Sequence, residues 1–159
     1  MRSMSDKDAA PYVEWLRDPD TAALLRARKV PSAKERAEQL RVLNSSSNDL
    51  VAGIEIKDTA KLIGTIGLRD INWRKGLAEL AIFIGDKKEW NKGYGNEAMK
   101  LLIDIGFKKL GLEKIQLRVN PSNIRARHIF EKAGFKEKTA DKEFIVMIKE
   151  PSHYQTHWS

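Results

Sequence analysis

The 159-residue sequence contains no cysteine. This absence excludes disulfide bonds, thiolate nucleophiles and thiolate metal sites, and it suits a reducing cytoplasm. The sequence also lacks a run of about 18 apolar residues, the length that a membrane-spanning helix needs. Its first residues lack the apolar core of a signal peptide. We therefore expect a soluble, cytoplasmic protein without a membrane partner.

The sequence also has no segment in which charges of one sign are concentrated. The net charge of +7 arises from 29 Lys and Arg against 22 Asp and Glu, and the acids are interleaved with the basic residues. A basic surface can attract nucleic acid or a small polyanion such as a nucleotide cofactor. Because no block of about five like charges occurs, we favour the small polyanion and predict no nucleic-acid partner. The length fits a single domain at residues 1–150 with a tail at 151–159.

The apolar pattern changes period near residue 50 and predicts an α/β domain. Ser32 and Glu35 form an S-x-x-E capping box at the start of one helix. The predicted helices span 8–17, 20–29, a segment after Ser32, 95–110 and 123–132. The predicted strands span 50–57, 62–71, 77–84, 114–119, the residues around Phe135, and 144–148. The first three strands follow one another directly, which is typical of an antiparallel meander.

The segment from Trp90 to Ala98 joins an apolar strand to a helix and contains Gly93 and Gly95. Glycines let the backbone approach a ligand, and the free amides and dipole of a helix start favour an anion such as a diphosphate. A glycine loop that only turns the chain is one alternative. A dinucleotide site is another, but its acid should follow the next strand, whereas Glu113 precedes it. A Walker loop is excluded because no Gly-Lys-Ser/Thr occurs.

A third interpretation rests on a resemblance. Trp90-Asn91-Lys92-Gly93-Tyr94-Gly95 resembles the acetyl-CoA pyrophosphate loop of GNAT acetyltransferases, Gln/Arg-x-x-Gly-x-Gly/Ala, in the Trp-Gly-Lys-Gly-Tyr-Ala form of the RimJ/RimL-like branch. Residues 120–126 and 130–135 resemble the second signature, Asn-x-x-Asn-x-x-Ala followed by Tyr-x-x-x-Gly-Phe. Residues 78–81 resemble the Ala-Glu-Ile-Gly that opens the central strand of this branch. The resemblance covers roughly residues 50–148.

The resemblance implies the GNAT fold, a twisted and mostly antiparallel mixed sheet with helices on both faces. The family's fourth and fifth strands should splay apart and admit the cofactor. It also implies an N-acetyltransferase that uses acetyl-CoA, needs no metal, and transfers acetyl to a primary amine by direct attack. The acceptor is a protein N-terminus or a small-molecule amine, and a homodimer is left open. Segments that form the acceptor pocket in relatives contain Trp15, Arg26, Arg28 and Trp73.

Carried over residue by residue, the family's cofactor contacts fall on three segments. The strand before the loop should pair its backbone with the pantetheine arm, the loop should cradle the diphosphate, and the second signature should add polar contacts. The expected cofactor-binding residues are Ile82, Phe83, Ile84, Trp90, Asn91, Lys92, Gly93, Tyr94, Gly95, Asn96, Asn120, Asn123 and Phe130. Asn123 could equally be a helix N-cap, and Lys92 an ordinary solvated lysine.

The sequence departs from the family at its acid and base. Phe130 stands where many members have a tyrosine that protonates the thiolate, and Arg118 stands where the RimI kind has a glutamate base. A CoA-binding sensor or assembly module without catalysis is therefore the alternative function. Glu79 is the candidate base, because a carboxylate inside an apolar strand is costly to bury unless paired, and burial favours proton uptake. A salt bridge to a nearby lysine or arginine is the competing role for Glu79.

Three histidines need a separate interpretation. His128 should lie on the surface of its helix. His153 and His157 have the spacing of a metal pair on a helix, but Pro151 and the position near the end of the sequence favour a loose tail. We predict no metal site.

Overall fold

The computed structural model describes residues 1–24 and 29–151. Its α-helices are α1 (Ala9–Leu16), α2 (Pro19–Leu24), α3 (Ala33–Ser45), α4 (Tyr94–Asp104) and α5 (Ile124–Lys132). Its strands are β1 (Leu50–Ile56), β2 (Lys61–Asn72), β3 (Leu77–Ile84), β4 (Lys114–Val119), β5 (Lys136–Ala140) and β6 (Ile145–Lys149). Short 3₁₀ turns occupy Asp6–Asp8 and Lys87–Glu89. None of the described helices is long and apolar enough to cross a membrane.

The helix boundaries follow their local signals. At the start of α3, Ser32 Oγ accepts a hydrogen bond from the Glu35 N–H at 3.1 Å, and the Glu35 carboxylate accepts one from the Ser32 N–H at 3.2 Å. The predicted capping box is therefore confirmed. Pro19 is the first residue of α2, where a missing N–H costs nothing, so the proline separates α1 from α2. The predicted helix 20–29 runs partly outside the described residues.

Within the described chain, the sheet has six strands in the order β1-β2-β3-β4-β6-β5. The first three form the predicted antiparallel meander, and β3 and β4 are parallel neighbours. These two pair only at Leu77↔Lys114, Ala78↔Ile115 and Glu79↔Gln116, so beyond Glu79 they separate. With a first strand counted at Arg2, which forms one bridge to Gly53, β3 and β4 are the family's fourth and fifth strands. The expected splay is confirmed.

Helices cover both faces of this sheet. Ala78 and Leu80 of β3 are buried in the main core together with Ala98, Met99 and Leu102 of α4. Alternate strand residues point to opposite faces, so Phe83 lies on the other face, where its ring contacts α1. The face with α4 holds most of the core, and the face with α1 and α3 is lined by aromatic and charged side chains near β3.

Two elements differ from the sequence prediction. The helix predicted over 95–110 is α-helical only to Asp104, and Ile105–Lys109 is a π-helical turn. Gly106 lies in that turn so close to the sheet that an added Cβ would come within 3.0 Å of Ile115. The close approach of helix and sheet explains the wider turn. The sequence indicated β5 only through the preceding residue Phe135, because all five residues of the strand are exposed and polar or small.

Candidate active site

The site begins at the gap between β3 and β4. The Gly85 N–H donates to the Ile63 carbonyl at 2.9 Å, and Ile84 lies opposite Gly64. Peptide groups alternate in direction along a strand, so the backbone groups of Ile82 and Ile84 face the gap and those of Phe83 face β2. The three predicted strand residues therefore differ. Ile82 and Ile84 direct their backbone groups into the gap. Phe83 directs its ring to the face of the sheet opposite α4.

The glycine loop lies at the C-terminal end of β3. Trp90 anchors it, because its indole Nε1 donates to the Ile84 carbonyl at 2.8 Å. Two residues take left-handed backbone conformations, Asn91 with φ 69° and Gly93 with φ 86°. Gly93 is the N-cap of α4, and the first helical hydrogen bond is donated by the Glu97 N–H to the Gly93 carbonyl. The amides of the first turn before Glu97 therefore have no partner within the helix and are available to an anion.

Acidic residues precede this loop, and lysines neutralise them. Lys61 Nζ lies 2.7 Å from Asp86 and 3.7 Å from Glu89, and Lys92 Nζ lies 3.1 Å from the other oxygen of Glu89. Burial acts to raise the pKa of Asp86, but the Lys61 ammonium and the Lys88 N–H outweigh it and hold that pKa below its usual range. Lys92 is half exposed. The two carboxylates that precede the loop are therefore compensated, and the loop has its amides and the half-exposed Lys92 beside them.

The two asparagines of the second signature use their side-chain oxygens locally. Asn123 is the N-cap of α5, and its Oδ1 accepts from the Ala126 N–H at 3.1 Å. Asn120 Oδ1 accepts from the N–H and the hydroxyl of Ser122 at 2.9 and 2.7 Å. The helix-capping role considered for Asn123 is confirmed. The amide nitrogens of both side chains are left for other partners.

Phe130 projects from α5 against the core. Its ring meets that of Phe135 edge to face, with centroids 6.1 Å apart, and Phe135 is 2% exposed. Phe130 itself is only partly buried. It fills space beside the sheet and cannot donate a proton.

Glu79 and Arg118 form an ion pair across the start of the gap. Arg118 Nε and Nη2 donate to the two oxygens of Glu79 at 2.7 and 3.1 Å, a bidentate geometry. The Glu79 side chain is 18% exposed and that of Arg118 is 53% exposed. Hydrogen bonding to Glu79 raises the pKa of Arg118. The salt bridge weighed for Glu79 from the sequence therefore exists, and its partner is the residue that stands in the RimI base position.

An aromatic cluster covers the other end of β3 on the same face. The rings of Tyr12 and Trp15 from α1 each lie 6.0 Å from that of Phe83, edge to face. Trp15 also packs on Gly85, where an added Cβ would lie 2.1 Å from the indole. By contrast, Trp73 lies in the turn before β3, at the opposite end of this eight-residue strand, roughly 25 Å away. The structure therefore brings Trp15 to the gap and leaves Trp73 far from it.

The other residues singled out from the sequence are three histidines and two arginines. His128 is exposed, as expected. Arg26, Arg28, His153 and His157 lie outside the described residues. Among residues 1–24 and 29–151, no group of three or more His, Asp or Glu side chains could hold a metal ion.

The profile of the acetyltransferase (GNAT) domain family matches residues 1–136. The chain belongs to this family. Its GNAT relatives include the uncharacterized N-acetyltransferase p20 of Bacillus licheniformis, which is 27% identical over 87% of this chain and 79% of that protein. A spermidine N(1)-acetyltransferase of Vibrio cholerae is 34% identical over 52% of this chain and 48% of its own length. The chain is accordingly an enzyme of the N-acetyltransferase class.

Solved GNAT structures share the whole fold. A spermidine N-acetyltransferase of Vibrio cholerae, in complex with CoA and spermine, superposes with a TM-score of 0.85 at 22% identity and covers 97% of this chain and 96% of that one. A Vibrio cholerae protein provisionally named a ribosomal-protein-serine acetyltransferase gives a TM-score of 0.79 at 19% identity, over 94% and 92% of the two chains. At these identities the likeness shows the GNAT fold and not the acceptor.

Sequence analysis did not single out two residues on the Phe83 face of the sheet, Tyr12 and Arg36. The spacing of three between Tyr12 and Trp15 puts both rings on one helical face. Arg36 lies one residue after the capping glutamate and resembles any solvated helix arginine in the sequence. Its burial becomes visible only when α3 packs on α1.

Proposed function

We propose that this GNAT enzyme transfers the acetyl group of acetyl-CoA to a primary amine by direct attack, as a member of the RimJ/RimL-like branch. One observation carries the proposal. The left-handed Gly93 and the free amides at the start of α4 adjoin the unpaired backbone edge of β3. An anion-binding turn beside an open strand edge suits a ligand that has a diphosphate and an amide-containing arm.

The residues of this chain fit such a ligand in chemistry. The amides of Tyr94, Gly95 and Asn96, with Lys92 as a point charge, would hold the diphosphate. The backbone of Ile82 and the N–H of Ile84, whose carbonyl already accepts from Trp90, would pair with the amides of the pantetheine arm. Acetyl-CoA supplies the activated acetyl thioester, and its thiol has an ordinary pKa of about 8.5, so the thiolate is a fair leaving group without a strong acid.

The amine should reach the thioester from the face opposite α4. Ala81 is exposed there, between Glu79 and Phe83 on the same side of β3. Trp15 and Tyr12 of α1 form a wall above Phe83. Relatives of this chain carry names of spermidine and aminoglycoside acetyltransferases, which supports a small-molecule amine. The provisional ribosomal-protein name of a fold neighbour supports a protein N-terminus.

Within that site Glu79 is the proposed proton acceptor. It is the carboxylate on the exposed side of β3 next to Ala81, and Arg118 fixes both of its oxygens. Phe130 would pack beside the cofactor. Because a phenylalanine cannot donate a proton, the departing thiolate would have no side-chain acid at this position of α5. Positioning and hydrogen bonding to the thioester carbonyl would then provide most of the rate enhancement.

The first prediction tests the proposal as a whole. The purified protein should bind CoA with a dissociation constant below about 1 mM in calorimetry, and it should release CoA from acetyl-CoA when a panel of primary amines is added. No CoA binding would contradict the cofactor assignment. Tight CoA binding without turnover of any amine would instead favour a CoA-binding sensor or assembly module.

The second prediction concerns the missing acid. Phe130→Tyr restores a donor at the position of the family tyrosine, so the turnover number should rise, by an amount up to the roughly 10²-fold at the low end of what a general acid contributes. Phe135→Tyr is the matched control, because it adds the same hydroxyl to a buried ring nearby and should give no gain. An unchanged rate in Phe130→Tyr would show that the thiolate needs no acid from this position.

A further inference from the structure

A second arginine lies on the acceptor face, and within the described residues no carboxylate pairs with it. Arg36 projects from α3 and is 9% exposed, which makes it one of the few buried charged residues among those described. Its guanidinium carbon stacks 3.7 Å from the centroid of the Tyr12 ring. Buried arginines are normally paired with an acid, because an isolated buried charge is costly.

The hydrogen bonds of Arg36 leave one edge of the guanidinium free. Nη1 donates to Gln39 Oε1 at 3.3 Å. Nε is buried and has no hydrogen-bond partner, and Nη2 forms no hydrogen bond or ion pair within residues 1–24 and 29–151. The stacking on Tyr12 offsets part of the cost of burial, but it does not satisfy the N–H groups in the plane of the guanidinium.

The Nε and Nη2 edge is the one that Arg118 uses on the same face of the molecule. In that pair, the two nitrogens hold the two oxygens of Glu79 at 2.7 and 3.1 Å. The fork geometry of this edge matches a carboxylate. Arg36 has the same carboxylate-binding edge, with its Nε buried, and no acidic side chain of the described chain fills it.

The position of Arg36 connects it to the acceptor. Tyr12, on which it stacks, contacts Phe83, the β3 residue whose ring lies on the acceptor face. Burial lowers the pKa of Arg36, Tyr12 acts to raise it, and the positive charge of Arg69 of β2 lowers it further. Arg36 therefore lies next to Tyr12, on the Phe83 face of the sheet.

The other two arginines near Arg36 on this face each pair with a carboxylate, whereas no carboxylate of the described residues pairs with Arg36. Arg69 Nε donates to Asp49 at 3.0 Å, and Arg118 is held by Glu79. Gly67 and Ala81 are register partners in β2 and β3 and carry little or no side chain on this face. A ligand on this face would therefore find one arginine, Arg36, whose charge no acid of the described chain balances.

We propose that Arg36 binds a carboxylate of the amine acceptor, so that the substrate class is an amino acid or another amine that carries a carboxylate. This inference rests on the proposed acetyl transfer. It separates this chain from its spermidine-acetylating relatives, since a polyamine has no anionic group and would be repelled by an unpaired buried guanidinium. An arginine remains charged despite burial, so the attraction holds across neutral pH.

The experiment compares amines that differ only in the carboxylate. Glycine, β-alanine, longer ω-amino acids and phenylalanine are assayed beside their amides, with spermidine included, in the wild type, Arg36→Met and Arg36→Lys. We expect the wild type to favour at least one acid over its amide by about 10-fold or more in kcat/KM. Arg36→Met should abolish that preference while leaving the amide rate within about threefold, and Arg36→Lys should retain part of it.

Controls separate this inference from folding and from the proposed function. Arg41→Met removes an exposed arginine from the same helix and should change neither rate. The N-acetylated products and their amides are also titrated in the presence of CoA, which reports anion recognition without turnover. The inference is overturned by equal acid and amide binding in the wild type, by an acid preference that survives in Arg36→Met, or by a preference for spermidine. Absence of turnover with every amine contradicts the proposed function instead, and the product titration then still decides the role of Arg36.

Discussion

Glu79→Gln should lower acetyl transfer at pH 7 by about 100-fold and leave CoA affinity unchanged. A primary amine has a pKa near 10 and is almost fully protonated at pH 7, so it must lose a proton before it can attack. Glutamine keeps the size of the side chain but cannot accept that proton. The measurement is a set of kcat and kcat/KM values from pH 6 to 9, with calorimetry of CoA as the binding check.

The dependence on pH identifies the cause of the loss. The free fraction of an amine of pKa near 10 rises about 10-fold per pH unit below that pKa, so the deficit of Glu79→Gln should shrink towards pH 9. Arg118 cannot produce this change, because hydrogen bonding to Glu79 raises its pKa further above the tested range. A deficit that stays constant from pH 6 to 9 would indicate that Glu79 holds Arg118 in place and takes no proton.

Arg118→Met tests whether this ion pair orients Glu79. It leaves the Glu79 carboxylate, which is 18% exposed, without the bidentate partner that holds both of its oxygens. The turnover number should fall by about 10-fold through lost positioning, while CoA affinity stays unchanged in calorimetry. An unchanged turnover number would show that acetyl transfer does not depend on the orientation of Glu79 by Arg118.

A strand glutamate elsewhere provides the control. Glu55 of β1 also forms an ion pair with an arginine, Arg2, and its side chain is 28% exposed. Glu55→Gln should leave kcat unchanged, because β1 is separated from the gap by β2 and β3. Normal turnover of Glu79→Gln from pH 6 to 9 would exclude Glu79 as the base. The base would then be a water chain or a residue of the N-terminal helices.

The fold was largely predictable because its signals are local. The Ser32–Glu35 capping box, the aliphatic runs of the meander and the left-handed Gly111 after the long helix each act over a few residues. The π-helical turn at Ile105–Lys109 was not predictable, since it depends on how closely Gly106 approaches β2 and β4. Strand β5 is stabilised by pairing with β6 and not by its own exposed residues.

Only contiguous motifs of the candidate site could be recognised from the sequence. The loop around Gly93 was assigned from its resemblance to the family's pyrophosphate loop, and its contact with the cofactor stays a prediction. The partner of Glu79 could not be assigned, because β3 and β4 become parallel neighbours only after roughly 30 residues of intervening helix and loop. The burial of Arg36 was the feature hardest to predict. A charged residue in a polar helix is expected to face solvent, and only the packing of α3 on α1 buries Arg36 against the Tyr12 ring.

The last prediction concerns Gly93→Val, which should weaken CoA binding by at least about 10-fold while the fold survives. Gly93 has φ 86°, a conformation that a β-branched residue resists, so the loop must deform or carry strain. An added Cβ at Gly93 meets no atom of the described residues within 4 Å. The side chain would therefore occupy the open space in front of the α4 amides, where the diphosphate is proposed to bind.

Gly111→Val is the matched control for Gly93→Val. Gly111 also has a left-handed φ, 69°, and an added Cβ there also meets nothing within 4 Å. It follows the C-terminal end of the long helix, whereas Gly93 caps the N-terminal end. The two variants should lose similar thermal stability, because the backbone strain is of the same kind. Only Gly93→Val should lose CoA affinity in calorimetry, since only it blocks free helix amides. Equal CoA affinity in both variants would show that the glycine loop merely turns the chain, and the diphosphate would then have to bind elsewhere along the gap.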